Sequence, residues 1–178
     1  MRKIFFFLVL SALAACGNNN DEMSANEEHA QLATNVSIFA SKENQKEWVL
    51  LADTVNFSDL QRATLSNPSL LLKQEGKDSA SVNGKTGIFD YTKHLVTIEG
   101  NARVESFTEQ IVITAPAFFY DIDTDRIWSN GKTIVRRNNA SVTAKGGIVT
   151  DSKLNKIEFR NQTIQLPTST KELKRKNK

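Results

Sequence analysis

An all-β fold built from repeated antiparallel strand pairs follows from three features of the sequence. First, a pattern returns every 30 residues: a small residue, apolar or aromatic residues, an Asp-containing turn and a second apolar stretch begin at Gly87 (GIFDYTKHLVTI), Ala117 (AFFYDIDTDRIW) and Gly147 (GIVTDSKLNKIE). A fixed period marks one supersecondary unit stacked on copies of itself, each covering its neighbour's apolar face. Second, apolar residues alternate with polar ones, as at Val96, Ile98, Ala102 and Val104, which is the pattern of a strand with one buried face. Third, turn residues punctuate these runs (Asp121 to Asp125, Asn130-Gly131, Asn138-Asn139, Asp151-Ser152), and no segment sustains a helical period beyond about a turn near Asp59 to Ala63.

Residues 1–15 read as a secretory signal peptide. Arg2 and Lys3 precede the apolar run Ile4 to Leu13, which is too short for an ordinary spanning helix of roughly 20 residues. The only cysteine, Cys16, follows Leu13-Ala14-Ala15 and has no partner for an internal disulfide. Residues 16–35 read as a flexible tether that begins at Cys16, since GNNNDEMSANEEHA is too polar to bury a core. A single β domain is expected over 36–167. It opens with a divergent unit, WVLLADTVNF and then SLLLKQEG, and continues with the three repeats. In the middle repeat Ile111, Ile113, Ala115, Ala117 and Phe119 share one parity, and the Glu99-Gly100-Asn101 stretch marks a kink or bulge. Residues 168–178 form a basic, disordered tail.

The net charge of +3 misleads unless it is located. Arg2 and Lys3 belong to the signal peptide, and the tail sets Lys171, Lys174, Arg175, Lys176 and Lys178 against Glu172 alone. The folded domain is therefore mildly acidic, which argues against nucleic acid as a partner. Catalytic and metal signatures are poor: His29 and His94 have no metal-ligand spacing around them. Asp121, Asp123 and Asp125 imitate the start of a calcium loop, but Arg126 and Lys132 stand where that loop needs Gly and Glu. No cofactor, catalytic residue or metal site is expected. Glu99, Glu105 and Glu109 are read as charges on strand faces.

Leu13-Ala14-Ala15-Cys16 resembles the bacterial lipobox, in which the Cys sulfur receives a diacylglyceryl group before cleavage. Two or three acyl chains hold a protein stably on a membrane, whereas one does so marginally. The run GKTGIFDYTKHLVTIEGNARVES, continued by ITAPAFFYDIDTDRIWSNGKTIVRR and AKGGIVTDSKLNKIEFRNQ, resembles the LptC family, periplasmic components of the lipopolysaccharide exporter related to LptA and to the N-terminal domain of LptD. The likeness extends over about Glu47 to Ile164, and WVLLADTVNF is similar to the family's opening strand.

The resemblance implies an open, twisted β-jellyroll, a half-pipe whose apolar interior holds lipopolysaccharide acyl chains. It implies receipt of lipid from the inner-membrane ABC transporter LptB/LptF/LptG and delivery to an LptA-like jellyroll through an edge strand. An unpaired edge is a hazard in isolation and a docking surface for a like partner. Each acyl CH₂ moved from water into such a groove contributes roughly 0.8 kcal/mol. The groove candidates are Trp48, Leu50, Phe89, Ile98, Val104, Ile113, Phe119, Ile127 and Phe159, with Trp128 facing away from Ile127. Two departures from the family are visible. Cys16 takes the place of an uncleaved transmembrane helix, and Gly17 is not the Asp that retains some lipoproteins in the inner membrane. The inner membrane is the expected site of attachment, with the outer membrane as the other choice. Two other readings stay open: a structural or assembly lipoprotein of the outer membrane with a closed β core, and an enzyme acting on envelope polysaccharide, which would bring two carboxylates within about 10 Å across a cleft.

Overall fold

The computed structural model describes residues 31–42, 45–57 and 59–165. The expected signal peptide, Cys16 and the 168–178 tail lie outside them, as does the tether up to residue 30.

Among the described residues fourteen strands, all antiparallel to their neighbours, follow one another: β1 (Leu32–Lys42), β2 (Gln45–Asn56), β3 (Arg62–Ser66), β4 (Ser69–Gln74), β5 (Lys77–Asn83), β6 (Thr86–Asp90), β7 (Leu95–Ser106), β8 (Ile111–Asp121), β9 (Arg126–Trp128), β10 (Thr133–Arg137), β11 (Ala140–Ala144), β12 (Ile148–Asp151), β13 (Glu158–Phe159) and β14 (Gln162–Gln165). Three long strands organise the rest. One edge of β2 pairs with β4 at Trp48 to Leu51 and with β3 at Thr54 to Asn56. One edge of β7 pairs with β6 at Leu95 to Glu99 and with β5 at Arg103 to Ser106. One edge of β8 pairs with β10 at Ile111 to Thr114 and with β9 at Phe119 to Asp121. Each long strand thus belongs to two walls.

The chain lays down a hairpin in one wall and then a hairpin in the other. The first wall holds the end of β2, then β3, β6, the start of β7, the end of β8, β9, β12 and β13. The second holds the start of β2, then β4, β5, the end of β7, the start of β8, β10, β11 and β14. One hairpin in each wall makes the 30-residue period. Its recurring Asp ends a first-wall strand and caps the turn that follows. Asp90 Oδ1 accepts the Thr92 and Lys93 amides, Asp121 Oδ1 the Thr124 amide, and Asp151 Oδ1 the Asn155 amide. The turns then pass through left-handed backbone at His94, Asp125 and Leu154.

The inward face changes phase where a long strand passes between walls. On β2 burial runs through Trp48, Leu50 and Ala52 and resumes at Val55. On β7 the register slips by one residue at Gly100 and Asn101, both with positive φ, as the kink expected there suggested. Opposite that slip, β8 buries Ile111, Ile113 and Ala115 and then Phe118 and Tyr120.

Between β2 and β7 the walls are joined on both sides. Strands β7, β5, β4, β2, β3 and β6 close into a ring, filled by Leu50, Leu65, Leu70, Leu72, Val82, Val96, Ile98 and Val104, each no more than 2% exposed. Beyond β8 the walls separate into two arms, β9-β12-β13 and β10-β11-β14. The fold is therefore the all-β jellyroll, closed along the ring and splayed at the C-terminal end. At the other end, β1 pairs with β2 along its length. This strand corrects the expected boundary at residue 36. It begins at Leu32, held by the Phe57 N–H to Gln31 C=O bond (2.9 Å), and Val36, Ile38 and Ala40 pack on the core. The turn of helix considered near Asp59 is instead a bend running into β3.

Candidate functional site: an apolar mouth between two arms

The arms enclose a cavity of about 270 Å³. Ile111, Val135 and Val142 line it from the second wall, and Leu154, Ile157 and Phe159 from the first, with Arg137, Ala140 and Asn155 completing it. Val135 and Val142 are cross-strand partners, so their side chains share the inner face. Leu154 is buried in its turn, while Val142, Ile157 and Phe159 are half-buried. One charged pair stands at the rim, where Arg137 donates to Glu109 Oε2 at 2.6 Å with both side chains about half exposed. Apart from this pair and exposed Asn155 the lining is apolar, suited to hydrocarbon and poorly suited to a charge.

The nine sequence-derived candidates separate into three groups. Trp48, Leu50, Phe89, Ile98, Val104, Ile113 and Ile127 lie in the core between the walls. Phe159 lines the mouth. Phe119 points out of the half-pipe and must be replaced by Phe118 as the inward residue. The parity that runs from Ile111 is broken near Pro116, opposite the β7 bulge, so Phe118 is 1% exposed while Phe119 stacks on Trp128 at 5.3 Å. Arg126 sits over the same indole, 5.5 Å from its centroid. The sequence reading missed Val135, Val142, Leu154 and Ile157. The alternation TIVRR with ASVTA carried the signal for the first two, but only the separation of the arms makes these residues a lining.

A polar recess lies further along the junction of the walls. Glu47, Lys73, Tyr120, Ile122, Asp123, Asp125, Ser152 and Lys153 surround it. Tyr120 donates to Asp125 Oδ1 (3.3 Å) and Ser152 to Asp125 Oδ2 (2.8 Å). Burial, followed by the Asp125 charge, pushes the Tyr120 phenol above its ordinary pKa. The D-x-D-x-D stretch is thereby explained: Asp121 caps a turn, Asp123 meets His94 Nδ1 at 2.9 Å, and Asp125 ties two turns together. Among the described residues, no group of three or more His, Cys, Asp or Glu is placed to hold a metal. Glu105 bonds Arg103, and Glu109 bonds Arg137, as charges on strand faces and rims do.

Residues 4–164 match the family described as "Lipopolysaccharide-assembly, LptC-related", and the chain belongs to that family. Among solved structures it is similar to LptH of Pseudomonas aeruginosa, described as the LptA homologous periplasmic component of the lipopolysaccharide transport device. The TM-score is 0.53 at 17% identity, covering 72% of this chain and 99% of that one, a likeness of fold. No curated protein matches the chain.

Proposed function

We propose that this protein is a periplasmic, lipid-anchored carrier that accepts lipopolysaccharide from an inner-membrane ABC transporter of the LptB/LptF/LptG type and passes it to an LptA-like jellyroll. Membership of a lipopolysaccharide-assembly family gives the class of cargo. The observation that carries the reading is the apolar mouth, open at the end where β13 and β14 each keep one edge unpaired among the described residues. Acyl chains entering it lose water at roughly 0.8 kcal/mol per CH₂, so a few chains suffice for affinity. Transfer to a like partner needs no covalent step. The anchor is Cys16, and the polar stretch after it spaces the β domain from the membrane.

The closed ring favours one second reading, a structural or assembly lipoprotein of the outer membrane with a permanently packed core. Photo-crosslinking separates the two. A photoreactive residue at Val142 or Phe159, but not at outward Phe119, is expected to give lipopolysaccharide adducts in irradiated cells. Silence at both mouth positions in a folded, membrane-attached protein would sink the carrier reading and leave the structural one.

A further inference from the structure

Trp48, Phe89 and Tyr91 form a chain of edge-to-face contacts at the rim of the closed ring. Their ring centroids are 6.2 Å apart at 84° for Trp48 and Phe89, and 4.9 Å apart at 73° for Phe89 and Tyr91. Trp48 comes from β2 in the second wall, Phe89 from β6 in the first, and Tyr91 from the turn that follows. The cluster therefore spans the two walls where they meet.

Two of its atoms stand out: the indole Nε1 of Trp48 and the phenolic oxygen of Tyr91 are buried and make no hydrogen bond among the described residues. Buried Trp and Tyr ordinarily place these groups against an acceptor, because a donor stripped of water without a partner costs its full desolvation. The other buried polar side chains of the interior are committed. Ser79 donates to the Leu72 carbonyl, Ser129 and Thr133 bond each other, and Ser152 donates to Asp125. Two free donors thus lie on a seam of otherwise apolar packing. Phe89 between them shows that a plain ring fills this space as well.

We propose that Trp48 Nε1–H and Tyr91 O–H are the interior's hydrogen-bond donors for the polar linkages of an acylated glycolipid. The apolar walls satisfy the chains themselves. The amide and ester carbonyls and the acyl hydroxyls that join chains to sugar lose water as the lipid enters, and they need donors there. The aromatic seam supplies them on the line where the two walls of the ring meet, so lipid reaches them only as the walls separate there. In the lipid-free protein the same donors are a standing cost, and lipid relieves it. The inference rests on the carrier reading and adds a subsite to it.

The test uses the full chain, with lipopolysaccharide added in detergent, and reads both melting temperature and lipid retained. Tyr91→Phe removes one unsatisfied donor and keeps the ring. It is expected to raise the melting temperature of the lipid-free protein by roughly 3 °C or more and to lower retained lipopolysaccharide about fivefold. Trp48→Phe should lower retention too, and it guards against a solvent-linked hydroxyl being mistaken for a ligand donor. An unchanged or lower melting temperature for Tyr91→Phe would show that the hydroxyl is satisfied in the free protein, which overturns the inference. So would a higher melting temperature with lipid fully retained. If wild type retains no lipid and the mouth positions do not crosslink, the carrier reading falls and the subsite with it. If the mouth crosslinks while Tyr91→Phe retains lipid, the subsite alone falls.

Discussion

The six-strand ring and the two C-terminal arms are made of the same repeated hairpin, yet one is solid and the other hollow. In the ring every strand has at least two neighbours, and the inner side chains of both walls meet. In the arms, β13 is two residues long and β14 four, each with one described neighbour, and the walls stand apart around the cavity. Closure therefore decides what the hairpin does. Joined on both sides, it stores stability; joined on one, it leaves an apolar surface with no internal partner. A carrier needs both conditions in one chain: a scaffold that survives without cargo and a face that gains by taking it.

The contrast predicts unequal costs for equal truncations. Leu72→Ala, at a fully buried ring position, should destabilise by about 2–5 kcal/mol through lost burial and a residual cavity. Val142→Ala, on the half-buried arm, should cost under about 1.5 kcal/mol, because its side chain already borders open space. Urea denaturation of the two variants measures both. Similar losses would mean that the arms are as tightly packed in solution as the ring.

A sharper version asks whether an arm can loosen alone. Gly147 leads into β12 with φ +87, and a Cβ there would run into the Ser129 carbonyl oxygen, part of the backbone that carries the Ser129 N–H to Ile148 C=O bond. Gly147→Ala should cost on the order of 2 kcal/mol through left-handed strain and displacement of that backbone. Amide exchange is the measurement: protection should fall in β9, β12 and β13 and persist in β4, β5 and β7. Uniform loss would show that ring and arms unfold as one unit.

Acid should distinguish the regions next. Asp90, nearly buried at the ring rim, is held below the ordinary carboxylate range first by the Thr92 hydroxyl, then by the Lys93 amide and the charges of Lys93 and Arg62, against the opposing effect of burial. A depressed folded pKa stabilises fully above the unfolded value of about 4, and that contribution disappears as pH falls through the folded value. Wild type should therefore exceed Asp90→Asn most near neutrality, and the gap should close on acidification. Glu158 on the arm is lowered too, chiefly by its bond to exposed Lys156, but Glu158→Gln should show a much weaker pH dependence because solvent screens the pair. Midpoints of urea unfolding across the acid range would reveal an equal response if the comparison is wrong.

Much of the ring was legible in the sequence because it is local pattern. Asp90, Asp121 and Asp151 are read as a period before their capping role is known, and Ile98 and Val104 are read as inward by alternation. Phe119 was misread because a bulge on β7 shifts the phase of β8, and a cross-strand slip leaves no mark on the slipped strand itself. The mouth was less legible. Val135 and Val142 look like any buried alternate pair, and only the failure of the walls to close beyond β8 exposes them. Whether a buried face meets protein or ligand is settled by topology, which alternation does not encode.

The smallest effect on stability carries a specific test of the mouth. Arg137 and Glu109 pair at the rim with both side chains about half exposed, and such a pair contributes at most about 0.5 kcal/mol once solvent and salt screen it. Glu109→Gln should leave the urea midpoint almost unchanged. It also frees Arg137, which lines the cavity, for a phosphate-bearing headgroup, since guanidinium binds phosphate through two parallel donors. Lipopolysaccharide capture should therefore rise in Glu109→Gln, fall in Arg137→Gln, and lose that difference at high salt. Equal capture by the two variants would mean that the headgroup does not pass this rim, and that lipid meets the half-pipe along the ring instead.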